Sequence, residues 1–423
     1  MKQQVLLEIS LLLALSNIFT PIQTAKIFFM IPLTTKSEKQ PWFPLIDALG
    51  KRGHEITVAS IVKSNYTSPN VKEFISTDYE SFLGDEFSNP IEVRKNSGRY
   101  FSLVMDYDYA FKACHKVYAN PEFQKAINQE YDLIFFNFFF QDCFLGILHK
   151  KQTPFIIFSS MLPYHYLWEL AGSTLSPSFV PFALGPPRPL GKLSFRDRLE
   201  NFLLDLHLKL MTHFSYLPDA EKIYRTYVGE NSPSAYDIHK NFTLIFSNTH
   251  YTYNAPTPTM PDIIEVGGMH CRPANPLPKE LDDFLSAFSK MKQRVIWKFE
   301  GDLKNLPANV KISKWLPQQD ILGHPNIKLF MTHGGAMSTY EAVYHGVPLL
   351  TLPVFCDQNI NSNLAVERGM GLEVEILDLT ENIISTALEE ILTNPKYEHK
   401  AKELSSVFRD QPQTPIERGV FWA

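Results

Sequence analysis

The sequence predicts an α/β protein of two doubly wound domains, each a parallel sheet flanked by helices, facing one another across a cleft. Three observations carry this expectation. Short apolar runs alternate with helically spaced stretches through both halves of the chain. The 423 residues are enough for about two or three domains. Trp315 to Asn363 forms a strand–turn–helix–strand unit whose polar residues gather at strand ends, where open parallel sheets bind ligands.

The chain opens with Lys2, an apolar run from Val5 to Leu15, and small or polar residues to Thr24. That is the pattern of a secretory signal peptide, expected to span 1–24 and to be cleaved near Thr24 or Ala25. Lys26–Ile31 then reads as a strand, Pro41–Lys51 as a helix and Glu55–Ser60 as a second strand. This βαβ unit lacks the GxGxxG of a dinucleotide site. Phe101–Ala119 has helical spacing and contains Asp106-Tyr107-Asp108. Two carboxylates one residue apart diverge on a helix, so no metal is expected there. Tyr131–Phe136 and Pro154–Ser159 are further strands, with Asn137 and Asp142 in the connection between them.

Pro163–Lys192 reads as a long loop, Ser194–Tyr227 as helix and Thr243–Ser247 as strand. Six prolines and Gly267-Gly268 mark Pro256–Pro278 as a linker. The expected organisation is an N-terminal domain over 25–255, a linker over 256–278, a C-terminal domain over 279–410 and a last segment over 411–423. In the second domain, Ile327–Thr332 is an apolar strand, His333-Gly334-Gly335 a turn and Ala336–His345 a helix. Gly346 stops that helix, and Leu349–Val354 is the next strand. Bare N–H groups and a helix dipole at the two glycines favour an anion, above all phosphate.

The chain is 44% hydrophobic and 20% charged, with a net charge of −5, which gives no reason to expect nucleic acid as a partner. Its four cysteines, Cys114, Cys143, Cys271 and Cys356, have no zinc-site spacing and are expected to be unpaired thiols. In a secretory compartment Asn65-Tyr66-Thr67 and Asn241-Phe242-Thr243 are glycosylation acceptors. Asn65 is the better of the two, because Asn241 opens a strand expected to be buried.

From Trp315 onward, WLPQQDILGHP, THGG, Ser338 to Glu341, GVPLLTLP and DQNIN resemble the donor signature of the UDP-glycosyltransferases. The branch is the animal UDP-glucuronosyltransferases, and the HGGxxS form is similar to insect-type members. Lys51 to Glu55, Asp142-Cys143-Phe144, Ile264 to Gly268 and Phe408-Arg409-Asp410 extend the resemblance over nearly all of 25–423. The resemblance implies the GT-B fold, two Rossmann-like domains, and inverting transfer of a hexosyl or glucuronosyl group to the hydroxyl of a small lipophilic acceptor. The donor would be UDP-glucose or UDP-glucuronate, with no metal or other cofactor. It implies that Trp315 stacks on uracil, Gln318 meets the nucleoside and Glu341 the ribose. His333, Gly335 and Ser338 would meet the diphosphate, and Asp357, Gln358 and Asn361 the sugar. Endoplasmic-reticulum localisation follows, and homo- or hetero-oligomers stay open.

Three departures qualify the resemblance. The family's catalytic histidine falls on Glu38, whose partner position is Asn137, or Asp142 in the insect-type pattern. Lys36 and Lys39 are expected to hold the Glu38 pKa low, which makes it a weak base. About 30 residues, the length of one supersecondary unit, are expected to be missing near 285–287, including the first strand of the second domain. The family's C-terminal membrane anchor is also absent, so the mature protein is expected to be lumenal. The alternative reading is a catalytically impaired relative that binds UDP-sugar or a partner subunit.

Overall fold

The structure, a computed structural model, describes residues 24–78, 90–98, 100, 107–160, 165–189, 192–275, 294–299 and 307–423. The expected signal peptide, Asp106 and the expected deletion near 285–287 lie outside the described residues.

The first domain is built on one parallel sheet. Its strands are β1 (Lys26–Met30), β2 (Glu55–Ser60), β3 (Val71–Ile75), β4 (Leu133–Asn137), β5 (Phe155–Ser159), β6 (Leu244–Ser247) and β7 (Ile263–Glu265). They lie in the order β3-β2-β1-β4-β5-β6-β7. β1 takes the centre because Ile27, Phe28, Phe29 and Met30 are all buried, as a strand covered on both faces requires. The order reverses between β1 and β4, so the loops that follow these two strands flank the switch point.

α1 (Lys36–Lys39) and α2 (Trp42–Lys51) follow β1. α2 presses Trp42, Leu45, Ile46 and Leu49 onto one face of the sheet. α3 (Pro90–Ser97) and α4 (Asp108–Ala119) come next, and α4 packs Phe111, Cys114, Val117 and Tyr118 on the other face. A disulfide joins Cys114 to Cys143, which corrects the expectation of four free thiols; Cys271 and Cys356 are free. Twenty-nine residues separate the bridged pair, too far apart for spacing alone to indicate pairing.

Other expectations also need correction. Pro163–Lys192 contains a helix, His165–Leu170. Ser194–Tyr227 is helical as expected, running without a break through α5 (Phe195–Met211), a π-helical turn over Thr212–Tyr216 and α6 (Leu217–Val228). The stretch expected as a linker supplies β7, the seventh strand of the first sheet. Asn241, expected at a buried strand start, is exposed, as is Asn65.

In the second domain β8 (Val295–Lys298) pairs only with β9 (Val310–Ser313) among the described residues. β10 (Phe330–Thr332), β11 (Leu349–Thr351) and β12 (Gly371–Glu373) form a separate parallel sheet. Set beside the first domain, this is the order 3-2 and 4-5-6 with nothing described at position 1. The helices α7 (Ala336–His345), α8 (Gln358–Glu367) and α9 (Pro395–Arg409) hold the three-stranded part together through Tyr340, Val343, Leu364 and Phe408. The chain then returns to the first domain, where α10 (Pro415–Trp422) puts Val420 into the core beside Leu45 and Trp42.

Replacing Cys114 and Cys143 together by serine is expected to lower stability by about 3 kcal/mol, the order expected for a closed loop of this length. A urea titration reads this as a lower midpoint. An unchanged midpoint would mean that the bridge does not contribute.

Candidate active site

The donor-side wall starts at β10. Thr332 ends the strand, and Gly334 takes φ +81, a left-handed conformation that disfavours side chains. A Cβ on Gly334 would also lie 2.5 Å from the Ser362 hydroxyl of α8. One on Gly335 would lie 2.6 Å from His333 Nε2. The turn therefore requires Gly334, whereas a side chain at Gly335, whose φ is −63, would only displace the His333 ring. Gly335 is the N-cap of α7 and supplies no side-chain hydrogen bond, so this ten-residue helix begins with uncapped N–H groups at its positive end. Burial lowers the His333 pKa, which favours the neutral imidazole, so the residue offers a hydrogen bond rather than a charge.

One turn on, three predicted residues come together. Gln318 Nε2 donates to Ser338 Oγ at 3.1 Å and to Glu341 Oε2 at 2.6 Å. Glu341 is 2% exposed, and burial pushes its pKa up to about 7 against the lowering effect of the Gln318 bond. Trp315 is 64% exposed beside them. At the end of β11, Asn361 Nδ2 donates to Asp357 Oδ2 at 3.0 Å. Gln358 accepts from the Val354 and Phe355 N–H groups, so its carbonyl oxygen is committed to shaping its own loop. Burial raises Asp357 to about 6, the Asn361 bond lowers it, and the nearby charge of Glu38 raises it further.

The opposite wall is the loop after β1. Glu38 closes a capping box, with Oε2 accepting from both Thr35 N at 3.0 Å and Thr35 Oγ1 at 2.7 Å. Its pKa is raised, because burial outweighs the lowering effect of those bonds. The expectation that Lys39 would hold it low fails on geometry. The Lys39 ammonium turns away to Glu73, Ser60 Oγ and Val62 O, which anchors α1 to the sheet. Gln141, which the motif reading passed over, fixes the same loop from β4's side by accepting from Leu33 N and donating to Thr34 Oγ1.

Asp142, the expected partner of Glu38, points elsewhere. It pairs with His239 Nε2 at 2.9 Å and accepts from the Tyr216 hydroxyl. Together with Tyr107, Phe138, Phe139, Tyr166 and Met211 it lines an aromatic pocket. The other partner position, Asn137, is fully buried at the end of β4, and neither amide atom has a hydrogen-bond partner among the described residues.

The two walls are joined by groups that the sequence did not single out. Arg94 of α3 is wholly buried and donates through Nε and Nη2 to both carboxylate oxygens of Glu375, at 2.9 and 2.6 Å. Its Nη1 reaches Asn359 Oδ1 at 3.0 Å and Val354 O at 3.4 Å, on either side of Asp357. The Tyr340 hydroxyl of α7 donates to Asn248 O and bonds Asn254 Oδ1, both at 2.8 Å, and Arg368 bonds the Tyr253 and Asn254 carbonyls. Asn359 sits inside the DQNIN motif and was open to notice; Arg94 and Glu375, 281 residues apart, carried no sequence signal.

Glu341 makes stability depend on pH. Its folded pKa of about 7 lies above the ordinary 4.5, so folding favours the protonated form. That contribution is complete below pH 4.5 and is lost as pH rises through 7. Glu341→Gln, which cannot ionise, is therefore expected to gain about 2 kcal/mol on the wild type between pH 5 and pH 8. Urea unfolding of the ligand-free protein at the two pH values measures this, and a constant difference would contradict it.

A model of the family described as UDP-glucoronosyl and UDP-glucosyl transferase matches residues 44–287 and 284–423. The two matches meet where the deletion is expected. The chain is 30% identical to UDP-glycosyltransferase UGT5 of Dactylopius coccus, covering 97% of this chain and 84% of that protein. That alignment spans 450 positions against a chain of 423 residues, which leaves at least 27 positions of the relative without a counterpart here. UDP-glucuronosyltransferase 2B7 of Homo sapiens is 28% identical over 98% of this chain and 86% of its own length. Among solved structures, glycosyltransferase VinC in complex with DTDP superposes with a TM-score of 0.58 at 15% identity, covering 94% of this chain and 99% of that one. The glycosyltransferase of kitacinnamycin gives 0.57 at 17% identity, covering 94% and 98%. These neighbours share the GT-B architecture of two α/β domains, and the chain belongs to the UDP-glucuronosyl and UDP-glucosyl transferase family, whose members move a sugar from a UDP-sugar to an acceptor.

Proposed function

We propose that this chain transfers a hexosyl or glucuronosyl group from UDP-glucose or UDP-glucuronate, with inversion, to the hydroxyl of a small lipophilic acceptor. The observation that carries this reading is the juxtaposition of Glu38 and Asp357. They come from opposite domains and lie close enough for the charge of one to raise the pKa of the other. A sugar held by Asp357, Gln358 and Asn361 would then have Glu38 on its acceptor side. The UDP leaving group would lie on the other side, at the α7 N-terminus, with His333, Gly335 and Ser338 around its diphosphate. Displacement between opposed groups inverts the anomeric centre. Trp315 offers its exposed face to uracil, and Gln318 and Glu341 hold the nucleoside. The proposal needs no metal ion.

Glu38 takes the acceptor's proton in this scheme. The raised pKa that burial gives it makes it a stronger base than an exposed glutamate. The aromatic pocket beside Asp142, lined by Phe138, Phe139, Tyr107 and Met211, suits an apolar acceptor. The Cys114–Cys143 bridge supports folding in an oxidising lumen such as the endoplasmic reticulum, where exposed Asn65 and Asn241 could be glycosylated. No helix among the described residues is long and apolar enough to cross a membrane.

Two measurements test the proposal. UDP at millimolar concentration should raise the melting temperature, because a ligand of the native state stabilises it by mass action. Glu38→Gln should then lower kcat by about 10²–10⁴ with the KM for UDP-sugar nearly unchanged. Absence of a UDP shift would remove the donor site; undiminished turnover in the variant would remove Glu38 as the base.

A further inference from the structure

Two backbone irregularities meet at the aromatic pocket beside Asp142. Phe140 takes φ +53, a left-handed conformation that a bulky side chain rarely adopts. Tyr216 ends the π-helical turn, a form that is rare and concentrated at functional sites. The Phe140 and Tyr216 rings stand 6.0 Å apart at 67°, and Tyr107 meets Tyr216 at 5.1 Å and 75°. Rings set near right angles make corners rather than stacks. Tyr107, Phe138, Phe139, Phe140, Tyr166 and Tyr216 all line the pocket.

Among the described residues that line it, Asp142 is the only one with a formal charge. It is buried, and its Oδ2 accepts from the Tyr216 hydroxyl. Its Oδ1 lies 2.9 Å from His239 Nε2 but off the hydrogen-bonding direction, and has no hydrogen-bond partner among the described residues. His239 Nδ1 lies 3.0 Å from the Tyr166 hydroxyl. With Tyr166 donating to Nδ1, the ring carries its one proton on Nε2 and is neutral. The carboxylate then keeps its charge among aromatic rings, with one oxygen open to a donor. A buried charge of this kind is costly unless an opposite charge joins it. The ring faces carry the negative end of their quadrupoles and attract the same cation.

We propose that this pocket is a cation-selective aromatic cage, and that the acceptor it takes is a lipophilic molecule carrying a protonated amine apart from the hydroxyl that receives the sugar. The ammonium N–H donates to Asp142 Oδ1, and its alkyl groups lie on the ring faces. The hydroxyl extends toward the donor-sugar loop. Cys356, next to Asp357 in that loop, packs against the hydrophobic cluster to which Phe138, Phe140, Tyr166 and Tyr216 belong, so the pocket and the loop share one core. The direction of the hydroxyl rests on the proposed function; the preference for a cation does not. The same carboxylate disfavours an anionic acceptor and offers a neutral one no gain in charge pairing.

Titration calorimetry of the full chain at pH 7 tests the cage with a matched pair of ligands. One is 3-[(dimethylamino)methyl]phenol, whose amine is protonated; the other is its neutral isostere 3-(2-methylpropyl)phenol. The wild type should bind the amine at least about tenfold more tightly, the order expected of a desolvated cation over aromatic faces. Asp142→Asn keeps the shape of the side chain without its charge, and should bring the two affinities within about twofold of each other. Phe139→Leu keeps apolar bulk without a ring face, and should weaken the amine by about threefold or more while leaving the isostere nearly unchanged. Melting temperature reports whether each variant is folded, and Phe139→Leu decides if Asp142→Asn is not. The proposal is overturned if the wild type binds neither ligand, or binds the isostere as tightly as the amine. It is also overturned if the preference survives in folded Asp142→Asn, or if Phe139→Leu weakens both ligands equally. Sugar transfer from UDP-glucose is read separately: amine binding without transfer would remove the proposed function and leave the cage standing.

Discussion

A guanidinium with no exposed surface must find partners for its N–H groups, and Arg94 finds them in the Gly98 carbonyl nearby and, for the rest, across the cleft. Both oxygens of Glu375, the side chain of Asn359 and the carbonyl of Val354 all belong to the second domain. Removing one member of such a buried pair costs about 3–5 kcal/mol, because its partner is left charged and dry. The loop from Val354 to Asn359 is therefore shaped from two directions, by Gln358 folding back on it and by Arg94 reaching in from α3. Asp357 and Asn361 stand where that loop puts them. The Tyr340 hydroxyl and Arg368 repeat the arrangement on the far side of α7.

This seam adds support to the second domain, whose described strands fall into a three-stranded and a two-stranded sheet. A doubly wound sheet relies on its central strand, and β1 shows why: four successive apolar residues are buried in the middle of seven strands. In the second domain β8 instead leaves Val295 and Trp297 each 46% exposed. The three-stranded part is sustained by α7 and α9 and by first-domain residues. Tyr253 and Tyr340 meet edge to face, and His250 stacks on Phe408 at 3.8 Å. The glycine turn and the Asp357–Asn361 loop follow β10 and β11 of the well-packed part, whereas Trp315 and Gln318 follow β9.

What the sequence revealed follows from how local each feature is. β1 and the His333–Gly335 turn were legible because burial on both faces, a positive φ and an open helix start each leave a signature within a few residues. Gln318, Ser338 and Glu341 were legible as a motif, and the fold brings them within hydrogen-bonding distance. The misreadings came where sequence neighbours are not spatial neighbours. Lys39 adjoins Glu38 in the chain, yet its ammonium serves Glu73. Asp142 falls on one of the two positions that partner residue 38 in the family, yet it lies against His239, 97 residues away. Cys114 and Cys143 gave no sign of pairing, and Arg94 lies in an unremarkable stretch whose partner is more than half the chain distant.

The account's central claim is that the donor-sugar loop is held in place from the opposite domain through Arg94. The most direct measurement compares UDP and UDP-glucose affinities, by titration calorimetry, in the wild type and in Arg94→Lys, which keeps the charge but cannot bridge Glu375, Asn359 and Val354 together. On the proposed placement UDP stops short of the Val354–Asn361 loop, so its affinity should change less than about twofold, whereas UDP-glucose should bind at least about tenfold more weakly, the loss of roughly one charged hydrogen bond. Equal changes in both affinities, or no change in either, would contradict the claim.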